Sequence, residues 1–250
     1  MWLKNTRNYN LLTPSEVQYF SGRLSWDLPY CLETFSQAFQ DLFLLYLFGA
    51  KKVGTYVEIG CNVPVYTNNS YLVHKSLGWM GLSFDLLDMS YDWYRERPES
   101  YFIQCDVLRD NLNEKVVSFF PQTSIFDYLQ LDIDPAPNTF AALQRLDHSN
   151  FRFRFITYEH DCYSSAAGQA MREASRELFC GLGYELVVPD VLVDDRHPYE
   201  DWWIDPLTCS EATLSRARIL QSVSNSNQGL SPKTLLGLAI EVGSANPNLS

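Results

Sequence analysis

VEIGCNVPVYTNNSYLVHKSLGWMGLSFD, residues 57–85, decides the fold. VEIG is a short apolar strand closed by one glycine. TNNSYLVHKSLG reads as a helix with Thr67 or Asn68 as its cap and Gly78 as its stop, and GLSFD as a second strand that ends in an acid. A β-α-β unit of this kind is a common frame for a nucleotide. A dinucleotide fingerprint would place three glycines in the first loop, where this chain has only Gly60.

The alternation continues outward from that unit. YFIQCD is a third strand, VLRDNLNEKVVSFF a helix, and FDYLQLDID a fourth strand whose carboxyl end holds Asp132 and Asp134. NTFAALQRL is a helix, FRFRFITYEHD a fifth strand ending in Glu159, His160 and Asp161, and AAGQAMREASRELFCGLG a helix ending at Gly181 or Gly183. YELVVPDVLVD and EDWWI are two more strands, joined by DRHPY without room for a parallel crossover, so an antiparallel edge pair is expected. The expected class is α/β: three layers around a mostly parallel seven-stranded sheet. Upstream, SQAFQDLFLLYLFGAKKVG predicts a largely buried helix capped by Ser36 and stopped by Gly49. Residues 1–34 show no period and read as an irregular extension. Residues 35–250 form the expected domain, closing with the helix SEATLSRARILQSV, the low-complexity SNSNQ and a tail that contains the apolar LLGLAIEV.

The totals narrow the partners. With 19 basic against 30 acidic residues the formal charge is -11, so the field repels phosphate backbones and anionic membrane surfaces, and nucleic acid is not an expected partner. Six single cysteines (Cys31, Cys61, Cys105, Cys162, Cys180, Cys209) form no C-x-x-C pair and read as reduced thiols of a cytoplasmic protein. The first residues lack a signal-peptide core, and the longest apolar run, residues 42–50, is far short of the about 20 residues of a membrane span. The sequon at Asn68 reads as coincidence.

In open parallel sheets, ligands lie outside the carboxyl ends of the strands. S-adenosylmethionine has no pyrophosphate and needs one tight turn near its amino-acid end, which suits the single Gly60. Asp85, 25 positions later, can accept both ribose hydroxyls, a placement shared by nicotinamide and S-adenosylmethionine proteins. Asp106, directly after the third strand, can accept an exocyclic adenine amine. The plain alternative is that Glu58, Asp85 and Asp106 are solvated strand-end acids.

SQAFQDLFLLYLF followed by GTYVEIGCNVPVYTNNSYLVHKSLGWMGLSFD resembles the opening of the FkbM-type methyltransferases, with their S-Q-x-x-Q-D helix, V-E-I-G strand and L-G-W-x-G segment. FDYLQLDID, FITYEHD and EDWWIDP resemble the family's later pieces, and the likeness runs over residues 36–206. Two departures are Cys61-Asn62-Val63-Pro64 after the glycine and Asp85-Leu86-Leu87 in place of E-P. The resemblance implies a Rossmann-like class I methyltransferase fold, S-adenosylmethionine as cofactor, and O-methylation of a small-molecule or glycan-like acceptor. It also implies that Glu58, Gly60, Cys61 and Asn62 surround the amino-acid portion, Asp85 the ribose and Asp106 the adenine. Gln40 and Asp41 either line the same pocket or form a capped polar face of the first helix.

Methyl transfer to a hydroxyl needs alignment and a base. His160 is the best-placed imidazole, beside Glu159 and across the sheet mouth from Asp132 and Asp134. The same carboxylates permit a divalent cation instead, though the metal ligands are not readable and none is expected. His74, His148 and His197 read as structural or exposed. Trp202 and Trp203 are adjacent on a strand, so one can pack in the core while the other reaches a surface or the acceptor. Two other functions are open: a nicotinamide-dependent oxidoreductase, disfavoured by the missing glycines, and a non-catalytic scaffold, disfavoured by the polar strand ends.

Overall fold

The computed structural model describes residues 12–23, 34–49, 53–193 and 196–245, and most of the amino-terminal extension, with Cys31, lies outside them. Two helices come first, α1 (Pro14–Arg23) and α2 (Gln40–Phe48). The alternating body follows: β1 (Thr55–Ile59), α3 (Tyr71–Leu77), β2 (Met80–Asp85), α4 (Ser90–Glu96), β3 (Tyr101–Gln104) and α5 (Leu112–Phe119). It continues through β4 (Ile125–Leu131), α6 (Ala136–Arg145), β5 (Arg152–Glu159) and α7 (Ala166–Gly181). The hairpin β6 (Glu185–Val193) and β7 (His197–Ile204) and the helices α8 (Glu211–Ser226) and α9 (Pro232–Ser244) complete it.

The strands form one sheet in the order β3-β2-β1-β4-β5-β7-β6, parallel except that β7 runs antiparallel to both β5 and β6. This is the expected mostly parallel sheet with an antiparallel edge pair. Its strands are apolar on both faces because helices cover both. Tyr56, Tyr128, Phe155 and Trp202 pack into one layer with α2, α8 and α9, and Val57, Ile59, Leu82, Phe84, Leu129 and Trp203 into the other. The adjacent tryptophans therefore fill opposite cores, both fully buried, and neither reaches a surface. No described helix is long and apolar enough to cross a membrane.

Several local expectations differ from the structure; the expected connection DRHPY is one, since its last three residues, 197–199, belong to β7. Helix α2 begins at Gln40 rather than after Ser36, because the Asp41 carboxylate accepts from Thr34 Oγ1, the Phe35 amide and Ser36 Oγ at 2.7–2.8 Å and bends the chain around itself. Helix α3 begins at Tyr71, with Asn68 turned to other partners. Within the stretch read as irregular, α1 is a helix closed by a reciprocal cap: the Thr13 amide donates to Glu16 Oε2 (2.7 Å) and the Glu16 amide to Thr13 Oγ1 (3.3 Å).

Candidate active site

The sheet order reverses at β1, so the loops after β1 and β4 border a crevice at the carboxyl ends of the strands. Gly60 makes the turn there with φ +83°, and a Cβ on it would meet the Asp132 carbonyl oxygen at 1.7 Å. Only glycine fits where β1 and β4 come this close. Asn62 follows in a left-handed conformation (φ 52°), and its amide donates to Asp85 Oδ2 at 2.8 Å. The Leu87 amide donates to Asp85 Oδ1 at 2.9 Å, so this carboxylate ties the loops after β1 and β2 together. Cys61 is buried, and burial, then the charges of Glu58 and Asp85, push its thiol well above its ordinary range. It stays a thiol.

Glu58 is fully buried on β1 and accepts from Ser83 Oγ through Oε2 (2.7 Å), while its Oε1 has no partner among the described residues. Gln130, its register partner on β4, also has an unpartnered buried Oε1, and so does Asn69 at Oδ1. Buried oxygens without donors are rare and costly. Asp106 is half-buried after β3, where Oδ1 accepts from the Leu108 amide (3.0 Å) and Arg109 Nε lies 3.3 Å from Oδ2. Gln40 is drawn to β7: its Oε1 accepts from the Ala38 amide, and its Nε2 donates to Tyr199 Oη (2.6 Å) and Glu200 Oε1 (2.8 Å).

At the ends of β4 and β5 a group of acids gathers. Ligand oxygens of Asp134, Glu159 and Asp161 all lie within 4.8 Å of one another. Asp132 stands beside Glu159, close enough for one carboxyl to donate to the other. Burial, with Asp134, Asp161 and Asp85 nearby, pushes Asp132 up to about 7, against the opposing effect of the Glu159 hydrogen bond. Burial and the Asp132 charge raise Glu159 well above the carboxylate range. Glu200, across from Glu159 on β7, is pushed up to about 8, first by burial. Asp161 is raised mainly by burial as well.

The structure does not bring His160 to this mouth. Successive strand residues face opposite sides: Glu159 pairs with Glu200, and Tyr158 with Asp201. His160 follows the Tyr158 side into a fully buried polar cluster. Its Nδ1 accepts from the Cys162 amide (3.2 Å), so a ring proton belongs on Nε2, which faces Asp201 Oδ1 (3.5 Å) and Asp190 Oδ1 (3.8 Å). Arg176 grips Asp201 with two bonds of 2.7 Å, and that grip, with His160, overcomes burial and holds Asp201 below its usual range. His160 is thus fully buried on the side of the sheet away from the acid cluster. His74 and His148 bond to backbone carbonyls (Trp79 O, 2.9 Å; Leu143 O, 2.8 Å), and His197 lies against the Tyr163 ring.

Sequence reasoning missed Gln130, Asp161 and Glu200 as members of this candidate site, and Arg97 behind it. Asp161 was visible as the last letter of EHD. Alternation along Glu159, His160 and Asp161 already places its carboxylate on the Glu159 side, where the structure has it.

No family model matches the chain, and no curated protein matches it. Solved structures do. An O-methyltransferase from Bacillus cereus, crystallised with S-adenosylhomocysteine, superposes with a TM-score of 0.51 at 11% identity, over 78% of this chain and 92% of that one. A putative O-methyltransferase from Klebsiella pneumoniae gives 0.49 at 14% identity, over 78% and 91%. A putative rRNA methylase from Clostridium thermocellum gives 0.47 at 14%, over 70% and 97%. The likeness to the Bacillus cereus protein is one of fold.

Proposed function

We propose that this chain is an S-adenosylmethionine-dependent methyltransferase that methylates a hydroxyl of a small-molecule or glycan-like acceptor. The observation that carries this reading is the gathering of carboxylates at the strand ends that flank the Gly60 turn: the oxygens of Asp134, Glu159 and Asp161 lie within 4.8 Å of one another, and Asp132, pushed up to about 7 mainly by burial, stands beside Glu159. An alcohol is a weak nucleophile, and a base near the working pH is what its methylation requires. Asp132 takes up the hydroxyl proton, and Glu159, protonated beside it, keeps the second charge out of the pair.

The residues at the turn suit the cofactor. Three buried oxygens, on Glu58, Gln130 and Asn69, have no donor among the described residues, and an amino-acid ammonium has three N–H groups to give. The carboxylate of Asp85 is fixed by two backbone amides at the end of β2 and accepts ribose hydroxyls with its remaining lone pairs. When bound, S-adenosylmethionine supplies an electrophilic methyl group on sulfur. The protein's part is to hold the acceptor oxygen in line and remove its proton. The fold shared with the Bacillus cereus enzyme, and that enzyme's bound S-adenosylhomocysteine, support the same cofactor here. The motif order that resembles FkbM-type proteins supports a hydroxyl acceptor, and the net charge of -11 with an acidic mouth supports a small or neutral one over RNA.

A second reading has one observation in its favour: the spacing of Asp134, Glu159 and Asp161 would hold a divalent cation that acidifies the acceptor hydroxyl. Release of S-adenosylhomocysteine from S-adenosylmethionine, followed across a panel of sugars and phenols with and without chelator, tests both. Turnover indifferent to chelator and lost in Asp132→Asn is the outcome of the base reading. Turnover abolished by chelator and restored by magnesium or manganese favours the cation. Turnover with a nicotinamide cofactor only would overturn both.

A further inference from the structure

We infer that Arg97 is a positioning residue for the cofactor, an inference that rests on reading the Gly60 loop as the cofactor's cradle. Arg97 is fully buried at the end of α4, its guanidinium 4.6 Å from the Trp93 ring centre. Its fork reaches the loop after β1 at three places. Nη1 donates to Asn68 Oδ1 (2.9 Å) and Pro64 O (3.4 Å); Nη2 donates to Ser70 Oγ (2.8 Å) and to Tyr56 Oη on β1. Asn68 passes the hold onward, its Nδ2 donating to the Cys61 carbonyl at 3.4 Å.

Stability is a poor explanation for this arrangement. A buried guanidinium costs much desolvation, and the nearest carboxylate oxygen, Glu58 Oε2, is 3.9 Å away. What the fork fixes is a strained loop: Asn62 and the β-branched Thr67 both have left-handed backbones, φ 52° and 54°. Such conformations persist only where the surroundings hold them. Asn69, whose Oδ1 is one of the three unpartnered acceptors, lies between the two gripped residues Asn68 and Ser70, and Glu58 lies beside the guanidinium. Arg97 thus sets two of the three oxygens that receive the cofactor's ammonium. The two Nη groups of the planar fork do this, while Nε has no partner among the described residues; a lysine cannot reach both sides at once.

The test is calorimetric titration of S-adenosylhomocysteine into the full chain and its variants. Arg97→Met, which keeps the length against Trp93, is expected to raise Kd by about tenfold or more, and Asn68→Ala by about threefold. Arg97→Lys is expected to fall between wild type and Arg97→Met. Arg154→Met serves as the control, because Arg154 bonds to Asp127 (2.6 Å) and the Thr208 carbonyl (3.0 Å) near the start of β5 and destabilises without touching the loop. Its Kd should stay within about twofold of wild type. A folded Arg97→Met or an Arg97→Lys with wild-type affinity would overturn the inference, as would an Arg154→Met weakened as much as Arg97→Met. If Arg97→Met does not fold, an unchanged Kd in Asn68→Ala overturns it. Wild-type protein that binds no S-adenosylhomocysteine would overturn the cofactor reading itself, before any variant is compared.

Discussion

Gly60 and Asp132 touch through their backbones: a Cβ at Gly60 would lie 1.7 Å from the Asp132 carbonyl oxygen, so the tight turn after β1 and the end of β4 form one junction. The turn proposed to hold the cofactor and the proposed base are thereby locked in register. Gly60→Ala is expected to cost at least about 2 kcal/mol, since it combines a backbone clash with an unfavourable φ, and to lose S-adenosylhomocysteine binding with it. Urea denaturation and a binding titration on the same sample check both.

Asp132→Asn removes the proposed base and leaves the turn in place. Turnover should fall by about a hundredfold or more while S-adenosylhomocysteine affinity stays nearly constant. In wild type the rate should rise with pH through about 7, where Asp132 loses its proton, and that step should vanish in the variant.

The acid cluster also makes a statement about stability. Folded-state pKa values of Asp132, Glu159, Asp161 and Glu200 all lie above their unfolded values. Asp132 and Glu200, raised to about 7 and about 8, contribute stability that is fully present below about pH 4 and is lost as pH rises through those values; Glu159 and Asp161 act in the same direction. Tm of the ligand-free protein should therefore fall between about pH 5 and 8 from these groups, and fall less steeply in Asp132→Asn. A Tm that rises over this window more in wild type than in the variant would contradict the assignment.

His160 offers a direct contrast. His160→Asn keeps an acceptor for the Cys162 amide, so the turn that carries Asp161 should survive and the rate step near pH 7 should remain. Loss of turnover by about a hundredfold, together with disappearance of that step, would return the base role to the histidine.

The strand-helix alternation was legible because buried parallel strands are short apolar runs bounded by turn residues, and TYVEIG, YFIQCD and FDYLQLDID each show this. Helix α1 was legible too: Thr13-Pro14-Ser15-Glu16 is a capping box with proline at the first helical position, a signal hidden by the lack of apolar period around it. Glu58, Gly60, Asn62, Asp85, Asp132, Asp134 and Glu159 lie at or just after the carboxyl ends of their strands, as the strand reading placed them. Strict alternation along Tyr158, Glu159 and His160 already forbids Glu159 and His160 from sharing a face. Arg97 and Glu200 were not legible. An arginine in a polar stretch carries no sign of burial, and the place of Glu200 beside Glu159 depends on the register of an antiparallel pair, which only the folded sheet sets.

Asp85→Ala should weaken S-adenosylhomocysteine binding by about 1.5 to 3 kcal/mol, the worth of charged hydrogen bonds to ribose hydroxyls. Part of that loss would come from freeing the Asn62 and Leu87 amides. Unchanged affinity would move the ribose contact elsewhere.

The most direct measurement is a calorimetric comparison of S-adenosylhomocysteine and NAD on the wild-type chain. One-to-one binding of S-adenosylhomocysteine at micromolar Kd, with no heat from NAD, is the result expected from a single-glycine turn with donor-free oxygens on Glu58, Gln130 and Asn69. Clear binding of NAD with none of S-adenosylhomocysteine would contradict the methyltransferase account.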